Sequence, residues 1–275
     1  MTTAAPVTRT PSRASKMSHS GMGLHAVTVR QVRELTPHLV RITLAAASLS
    51  GFLDDGPDQR FKLILPRAGQ PRPLLPDPGD WFGSLQAMPA DTRPVIRTYT
   101  IRYARPERGE VDVDIVLHGD SGPASAWAGR AAVGDEVGIY AAWGEYEAPP
   151  DADWQLLVAD HTALPAAAAI LERQAPSGQR ILVLLEVLDA AEQLPLSAPP
   201  GAEVRWLHTG TGQPGAALTQ AVHDLDLPTG PGYAWVCADA TTATAVRREL
   251  VSHRRMPSNA VMFMGYWRTD GPVDG

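Results

Sequence analysis

The feature that most constrains the fold is a change of pattern at Ala148-Pro149-Pro150-Asp151. Before it, short alternating runs separated by Gly and Pro turns read as strands: Ala26 to Val32, Leu39 to Ala45, Phe61 to Leu65, Val95 to Tyr103, Val111 to Leu117 and Glu136 to Tyr140. Short strands at even spacing predict an antiparallel β-barrel. After it, apolar strands alternate with helical segments. Strands are expected over Leu156 to Ala159, Ile181 to Val187, Val204 to Leu207, Ala234 to Cys237 and Ala260 to Tyr266. Helices are expected over Ala166 to Gln174, Ala216 to Val222 and Thr242 to Ser252. That order predicts an α/β unit with a doubly wound parallel sheet and crossover helices. The prolines at the boundary end one pattern before the other begins. The expected organisation is a tail over 1–23, a barrel over 24–148 and the α/β unit over 149–275.

A length of 275 residues suits two such units. No apolar run is long enough to span a bilayer, so membrane insertion is not expected. The net charge of −6 argues against nucleic acid or anionic lipid as a partner, and an anionic ligand must find a local basic pocket. The single cysteine, Cys237, leaves no disulfide framework, Cys-rich zinc site or cysteine-held iron–sulfur cluster, which suits a reducing cytoplasm. Met1 to Gly23 is rich in small polar residues and lacks the apolar stretch of a secretory signal, so it reads as a disordered tail. Lysine occurs only at Lys16 and Lys62. Between Pro66 and Pro94 a Pro-, Gly- and Asp-rich excursion is too long for a hairpin loop, and Trp81 and Phe82 within it either pack it down, which is the expectation, or touch a ligand.

The segment Arg97-Thr98-Tyr99-Thr100-Ile101-Arg102 carries the most chemistry. Strand alternation is expected to set an arginine, an aromatic ring and a hydroxyl on one face, with Thr100 bent inward at the strand end. A guanidinium binds a pyrophosphate bidentately, a tyrosine stacks on a planar ring, and a hydroxyl bonds a ring nitrogen; together these describe a flavin site. A strand surface with incidental Arg and Tyr is the plain alternative. Downstream, Gly122-Pro123-Ala124-Ser125 opens a short helix, where free amides and a side-chain-free glycine suit a phosphate. In open parallel sheets ligands bind beyond the carboxyl ends of the strands, here Asp160-His161-Thr162-Ala163 and Ala238-Asp239. No G-x-G-x-x-G fingerprint is present.

With these blocks the sequence resembles the siderophore-interacting proteins, flavin-dependent ferric-siderophore reductases of the ferredoxin–NADP reductase superfamily. The resemblance runs from Leu24 to Asp270. It rests on Arg97 to Arg102, on Val-Leu-His118-Gly with Gly-Pro-Ala-Ser-Ala-Trp127-Ala, on Thr162-Ala-Leu-Pro165 and on Gly265-Tyr-Trp-Arg268. It implies FAD held by Arg97, Tyr99, Thr100, His118, Gly122, Ala124 and Ser125. It also implies reduction of siderophore-bound Fe(III), with electrons from NADPH, NADH or ferredoxin. Asp160, Thr162, Ala163 and Asp239 are the candidates for the nicotinamide nucleotide. Departures fall in that half: Ala159-Asp160-His161 stands where the family usually has Gly-Asp-Glu, and Ala238-Asp239 where it usually has Gly-Glu.

The flavin carries the chemistry, so no protein nucleophile or resident metal site is required. Ferric chelates are often anionic, and Lys62, Arg102 and Arg268 are the candidate basic residues for capturing them. His118 has no second ligand at metal spacing, His161 either gates the nucleotide site or belongs to a helix cap, and Cys237 reads as a small buried hydrophobe. A generic NAD(P)H:flavin oxidoreductase or electron-transfer module, and a flavin- or siderophore-binding protein without turnover, are the alternatives. A cytoplasmic monomer is expected.

Overall fold

The computed structural model describes residues 23–52, 54–119, 122–141, 143–174 and 178–268. Apart from Gly23, the expected tail lies outside the described residues. The first unit is a seven-stranded antiparallel sheet: β1 Leu24–Thr36, β2 Leu39–Ala45, β3 Arg60–Leu65, β4 Val95–Thr100, β5 Tyr103–Arg105, β6 Glu110–Val116 and β7 Glu136–Ala141. Their order is β4-β3-β7-β1-β2-β6-β5. Val27, Val29, Ile42, Leu44, Phe61, Leu63, Val113, Ile115, Val137 and Ile139, all at alternate positions, meet in one buried cluster. A sheet whose inner residues form one cluster has curled around it, as expected for a barrel.

The strand expected over Val95 to Tyr103 is two strands. The Ile101 amide still bonds to Gln59 beside β3, at 2.8 Å, whereas the Arg102 amide bonds to Asp112 on β6, also at 2.8 Å. Over two residues the chain passes from one edge of the sheet to the other, and that step closes the barrel. The excursion after β3 contains a short helix, α1, Trp81–Ala87. Trp81 stacks on Tyr140 of β7 with ring centroids 4.4 Å apart and planes 8° from parallel, and Leu75 lies over Gly138, where no side chain could fit. The expectation for Phe82 fails: it stays 67% exposed.

A helix α2, Pro123–Ala128, follows β6. The second unit contains β8 Trp154–Asp160, α3 Leu164–Arg173, β9 Arg180–Val187, β10 Ala202–His208, α4 Ala216–His223, β11 Gly232–Asp239, α5 Ala240–Arg248 and β12 Val261–Trp267. The last helix is shorter than expected, because its end over Glu249–His253 relaxes to a π turn. The strands are parallel in the order β10-β9-β8-β11-β12. Winding therefore reverses between β8 and β11. Leu157 and Ala159 face a core with α3, while Leu156 and Val158 face a second core with α4 and α5, so both faces are covered.

Four side-chain clusters tie the units together. Buried Asp58 accepts the Glu145 and Tyr146 amides through Oδ1, at 2.8 and 3.0 Å, and the Trp235 indole N–H through Oδ2, at 3.1 Å. Arg60 pairs with Glu145 at 3.0 Å and meets the Met264 sulfur. Arg102 grips Glu172 of α3 with two hydrogen bonds of 2.8 and 2.5 Å. Glu192 accepts from Thr36 and His38 at the β1–β2 turn.

Candidate functional site

The register of β4 on β3 fixes where the site residues stand. Arg97 opposes Leu63 and Tyr99 opposes Phe61, on the face turned to the barrel core, whereas Thr98 opposes Lys62 and Thr100 opposes Arg60, on the other. The expectation of one shared face is therefore corrected: a strand alternates strictly, and Thr100 is one residue, not two, from Tyr99. β4 is an edge strand, hydrogen-bonded to β3 on one side only.

Tyr99 packs against the barrel core, and burial, against the pull of the Arg97 charge, pushes its phenol up to about 12. It presents a neutral ring at any ordinary pH. The Arg97 guanidinium donates to the Ile96 carbonyl at 2.8 Å, and among the described residues no carboxylate pairs with it. The Thr100 hydroxyl is buried and has no hydrogen-bond partner. A hydroxyl carries one hydrogen and two lone pairs, so even beside the Tyr266 phenol it keeps capacity for a further polar atom.

α2 packs against β4 and β6, bringing the Gly-Pro-Ala-Ser turn beside these residues. Ser125 is buried, and its hydroxyl accepts the His118 amide at 2.9 Å and donates to the Gly119 carbonyl at 2.8 Å. Its side chain is thus occupied in holding the turn, and what it can offer a ligand is its backbone. A Cβ at Gly122 would come within 2.7 Å of the His118 ring, so glycine keeps the approach between them open. Ala124 is buried in the barrel core and His118 is exposed at the rim. An unpaired guanidinium, a neutral tyrosine, an orphaned hydroxyl and a glycine-lined turn at one edge fit a flavin nucleotide.

At the carboxyl ends of β8, β11 and β12 the arrangement is self-contained. Asp160 Oδ1 accepts the Thr162 amide at 2.9 Å, the Thr162 hydroxyl at 2.6 Å and the Ala163 amide at 3.2 Å. Its Oδ2 accepts the Asp239 amide at 2.8 Å and the Trp267 indole at 2.7 Å. Burial pushes this carboxyl up despite those donors. Asp239 caps α5 by accepting the Thr241 and Thr242 amides; burial opposes its ionisation, but the threonine donors win and hold it below the usual range. The four nucleotide candidates are thus brought together, with both carboxylates spent on shaping the crevice where the sheet reverses.

His161 is no cap. Its ring is largely buried with Nε2 3.7 Å from Glu192 Oε2, and burial lowers its pKa, with Glu192 opposing and His38 assisting. Glu192 lies below the usual carboxylate range because the Thr36 and His38 hydrogen bonds outweigh its burial.

The three basic candidates separate. Lys62 donates to Thr98 at 2.9 Å on the Thr100 face. Arg268 is exposed just after β12. Arg102 is only 6% exposed and committed to Glu172, with Asp114 at 3.9 Å, so it is a strut between the units and is withdrawn as a substrate residue. Asp58, Arg60, Glu172, Glu192 and Tyr266 were missed. The one available signal was the polar run Asp58-Gln59-Arg60 opening an apolar strand, since charges there are buried only when paired.

Residues 28–146 match the model of the siderophore-interacting FAD-binding domain, and residues 152–270 match that of the siderophore-interacting protein. The chain belongs to the siderophore-interacting protein family. It is an FAD-binding member, with the barrel as the flavin domain. It is 30% identical over 237 residues to the ferric vibriobactin reductase of Vibrio cholerae, covering 85% of each chain. It is 27% identical over 245 residues to the NADPH-dependent ferric-chelate reductase of Escherichia coli, covering 88% of this chain and 91% of that one. A siderophore utilization protein from T. fusca superposes with a TM-score of 0.80 at 30% identity, over 92% of this chain and 96% of that one. Among the described residues no helix is long and apolar enough to cross a membrane.

Proposed function

We propose that this protein reduces Fe(III) held by a siderophore to Fe(II), through bound FAD, with a nicotinamide nucleotide as electron donor. The supporting observation is the shared face of β3 and β4: Lys62 stands diagonally from Thr100, so a cation that captures an anionic chelate lies beside the hydroxyl that meets the flavin. Bound FAD accepts a hydride and passes its electrons on singly. One nucleotide thus reduces two ferric ions and releases one proton. Iron(II) is held far less tightly by a hard oxygen cage and becomes exchangeable.

In this reading Arg97 binds the pyrophosphate, Tyr99 supplies a stacking ring, Thr100 bonds a ring nitrogen, and His118, Gly122, Ala124 and Ser125 form the second half of the cradle. Lys62 and the exposed Arg268 draw in the chelate. The turn built on Asp160, Thr162 and Ala163, with Asp239 opposite, receives the nucleotide through backbone and shape. Because both carboxylates there are already engaged, reduced ferredoxin is the second donor to test. The assigned units are a barrel over 24–148 and a nucleotide-side unit over 149–275, in a cytoplasmic monomer.

The test is anaerobic. Purified yellow protein receives NADPH or NADH, then a ferric siderophore with a ferrous trap. Bleaching by a nucleotide, followed by reoxidation and trapped Fe(II), supports the proposal and identifies the donor. A yellow protein that neither nucleotide bleaches, but that reduces the chelate after chemical reduction, transfers the donor role to ferredoxin. Reduced protein that leaves the chelate untouched refutes ferric reduction.

A further inference from the structure

Two buried hydroxyls, one from each unit, lack hydrogen-bond partners: Thr100 Oγ1 at the end of β4 and Tyr266 Oη near the end of β12. The fold sets them against each other. Thr100 opposes Arg60 across the ladder, the Arg60 guanidinium meets the Met264 sulfur, and Met264 and Tyr266 are two residues apart on one face of β12. That face also holds Cys237 of β11, so the Tyr266 phenol lies between the Thr100 hydroxyl and the Cys237 thiol, in hydrogen-bonding alignment with neither.

We propose that Tyr266 is a positioning residue for the flavin, its phenol directing the Thr100 hydroxyl to donate toward the ring and so favouring the oxidised cofactor. The inference rests on the reading of β4 as the flavin strand.

The direction follows from counting hydrogens. A hydroxyl has one hydrogen and two lone pairs. Burial keeps the phenol protonated, so Tyr266 is a donor at working pH. Facing an acceptor nitrogen in the oxidised ring, Tyr266 donates to Thr100, Thr100 donates to the ring, and every hydrogen in the chain has an acceptor. On reduction that nitrogen carries a hydrogen. Thr100 must then accept it, and the chain has to run backwards: Thr100 donates to Tyr266, and Tyr266 is left with the Cys237 sulfur, a weak acceptor. Unpaired lone pairs cost less than unpaired buried hydrogens, so the forward sense is the better one. The consequence is a more negative flavin potential, which suits an electron donor to ferric iron in an oxygen cage. Because Tyr266 comes from the second unit, the effect depends on the two units being docked.

The test is a redox titration of FAD-loaded protein against reference dyes, with folding followed by near-UV circular dichroism. Tyr266→Phe keeps the ring and removes the phenolic oxygen. The ratio of affinities for oxidised and reduced FAD is expected to fall about threefold to tenfold, a rise of roughly 15–30 mV for a two-electron couple. In a Thr100→Val background the same change is expected to add nothing, because Tyr266 acts through Thr100. Cys237→Ser supplies a better terminal acceptor and is expected to raise the potential too, a reading that stands even if Tyr266→Phe does not fold. An unchanged potential in Tyr266→Phe and Cys237→Ser, with a shift in Thr100→Val, overturns the role of Tyr266 and leaves the flavin strand in place. No shift in any of them overturns both.

Discussion

Replacing Asp58 with alanine leaves three donors unpaired: the Glu145 and Tyr146 amides and the Trp235 indole, now at 2.8, 3.0 and 3.1 Å from its oxygens. Asp58 is 1% exposed and Trp235 is 0% exposed, so water does not replace the lost acceptor without rearrangement. An unpaired buried donor costs about 1–3 kcal/mol, which gives roughly 3–9 kcal/mol for three. Against this stands the cost of burying the carboxylate, several kcal/mol per ion at most and softened here by Arg60. Burial does push this carboxyl up, so part of that cost is real. The net destabilisation is about 3 kcal/mol, or roughly 6–12 °C in Tm at about 2–4 °C per kcal/mol.

Asparagine separates the contributions. Its carbonyl can still accept both amides, but its NH2 group then faces the Trp235 N–H, donor against donor, so Asp58→Asn should cost about 1–2 kcal/mol. Trp235→Phe removes the opposing donor, and the double variant should be more stable than the two single costs predict. Urea and thermal unfolding of the parent and the four variants at neutral pH make the measurement. If Asp58→Ala lies within about 0.5 kcal/mol of the parent, the three contacts do not hold the linker to β11. If Asp58→Asn alone matches the parent, the carboxyl is already protonated in the folded protein.

Arg97→Ala should weaken FAD binding by about 1.5–3 kcal/mol, roughly 10- to 150-fold, read by fluorescence titration; unchanged affinity would remove Arg97 from the site. Lys62→Ala should keep its FAD yet raise KM for anionic ferric chelates, more at low salt, whereas an equal rise for neutral chelates would refute the electrostatic role. Glu172→Gln should lower stability by about 1–2 kcal/mol, less than a fully buried pair because Glu172 is 25% exposed, and leave chelate KM unchanged; the opposite pattern would return Arg102 to the substrate. His161 has a folded pKa below 6.5, so as pH falls through that value the unfolded chain gains its proton first and stability declines. His161→Gln should flatten part of the Tm slope just below about pH 6.5, His25 supplying a further part, while Glu192 and the other low-lying carboxylates act only below about 4.5; an unaltered slope would exclude His161.

Most strands were legible because their side chains alternate against one core: Leu39 to Ala45 was read without error, and its inward residues Val40, Ile42 and Leu44 are all buried. The break between β4 and β5 was not. Val95 to Tyr103 is uniformly strand-like, and what divides it is the choice of partner by two amides, Ile101 staying with Gln59 and Arg102 taking Asp112. Local propensity carries no record of that choice. Arg102 shows the same limit in the side chains: beside Arg97 and Tyr99 it looks like a site residue, and only the docking of α3 brings Glu172, seventy positions on, to claim it. Asp160 and Asp239 were placed together because the strand order dictates which strand ends meet at the reversal, but the amides that occupy them belong to turns whose geometry emerges only on folding.

These losses share a cause that bears on function. Electron transfer through the flavin to iron needs two units held at a fixed separation, and of the residues that set it only Arg102 belongs to a motif. Asp58 fastens the linker to β11, Arg60 reaches β12, Arg102 holds α3, and Glu192 clasps the β1–β2 turn. Every one joins residues 70 or more positions apart or secures the linker, so each becomes visible only when both units are complete. Several are buried charges, which pack no better than apolar groups of similar volume but tolerate only one orientation of their partners. An interface built this way gains directional constraint at some cost in stability: the β4 edge of the barrel and the carboxyl ends of β8 and β11 keep their relative positions only as long as those pairs stay made.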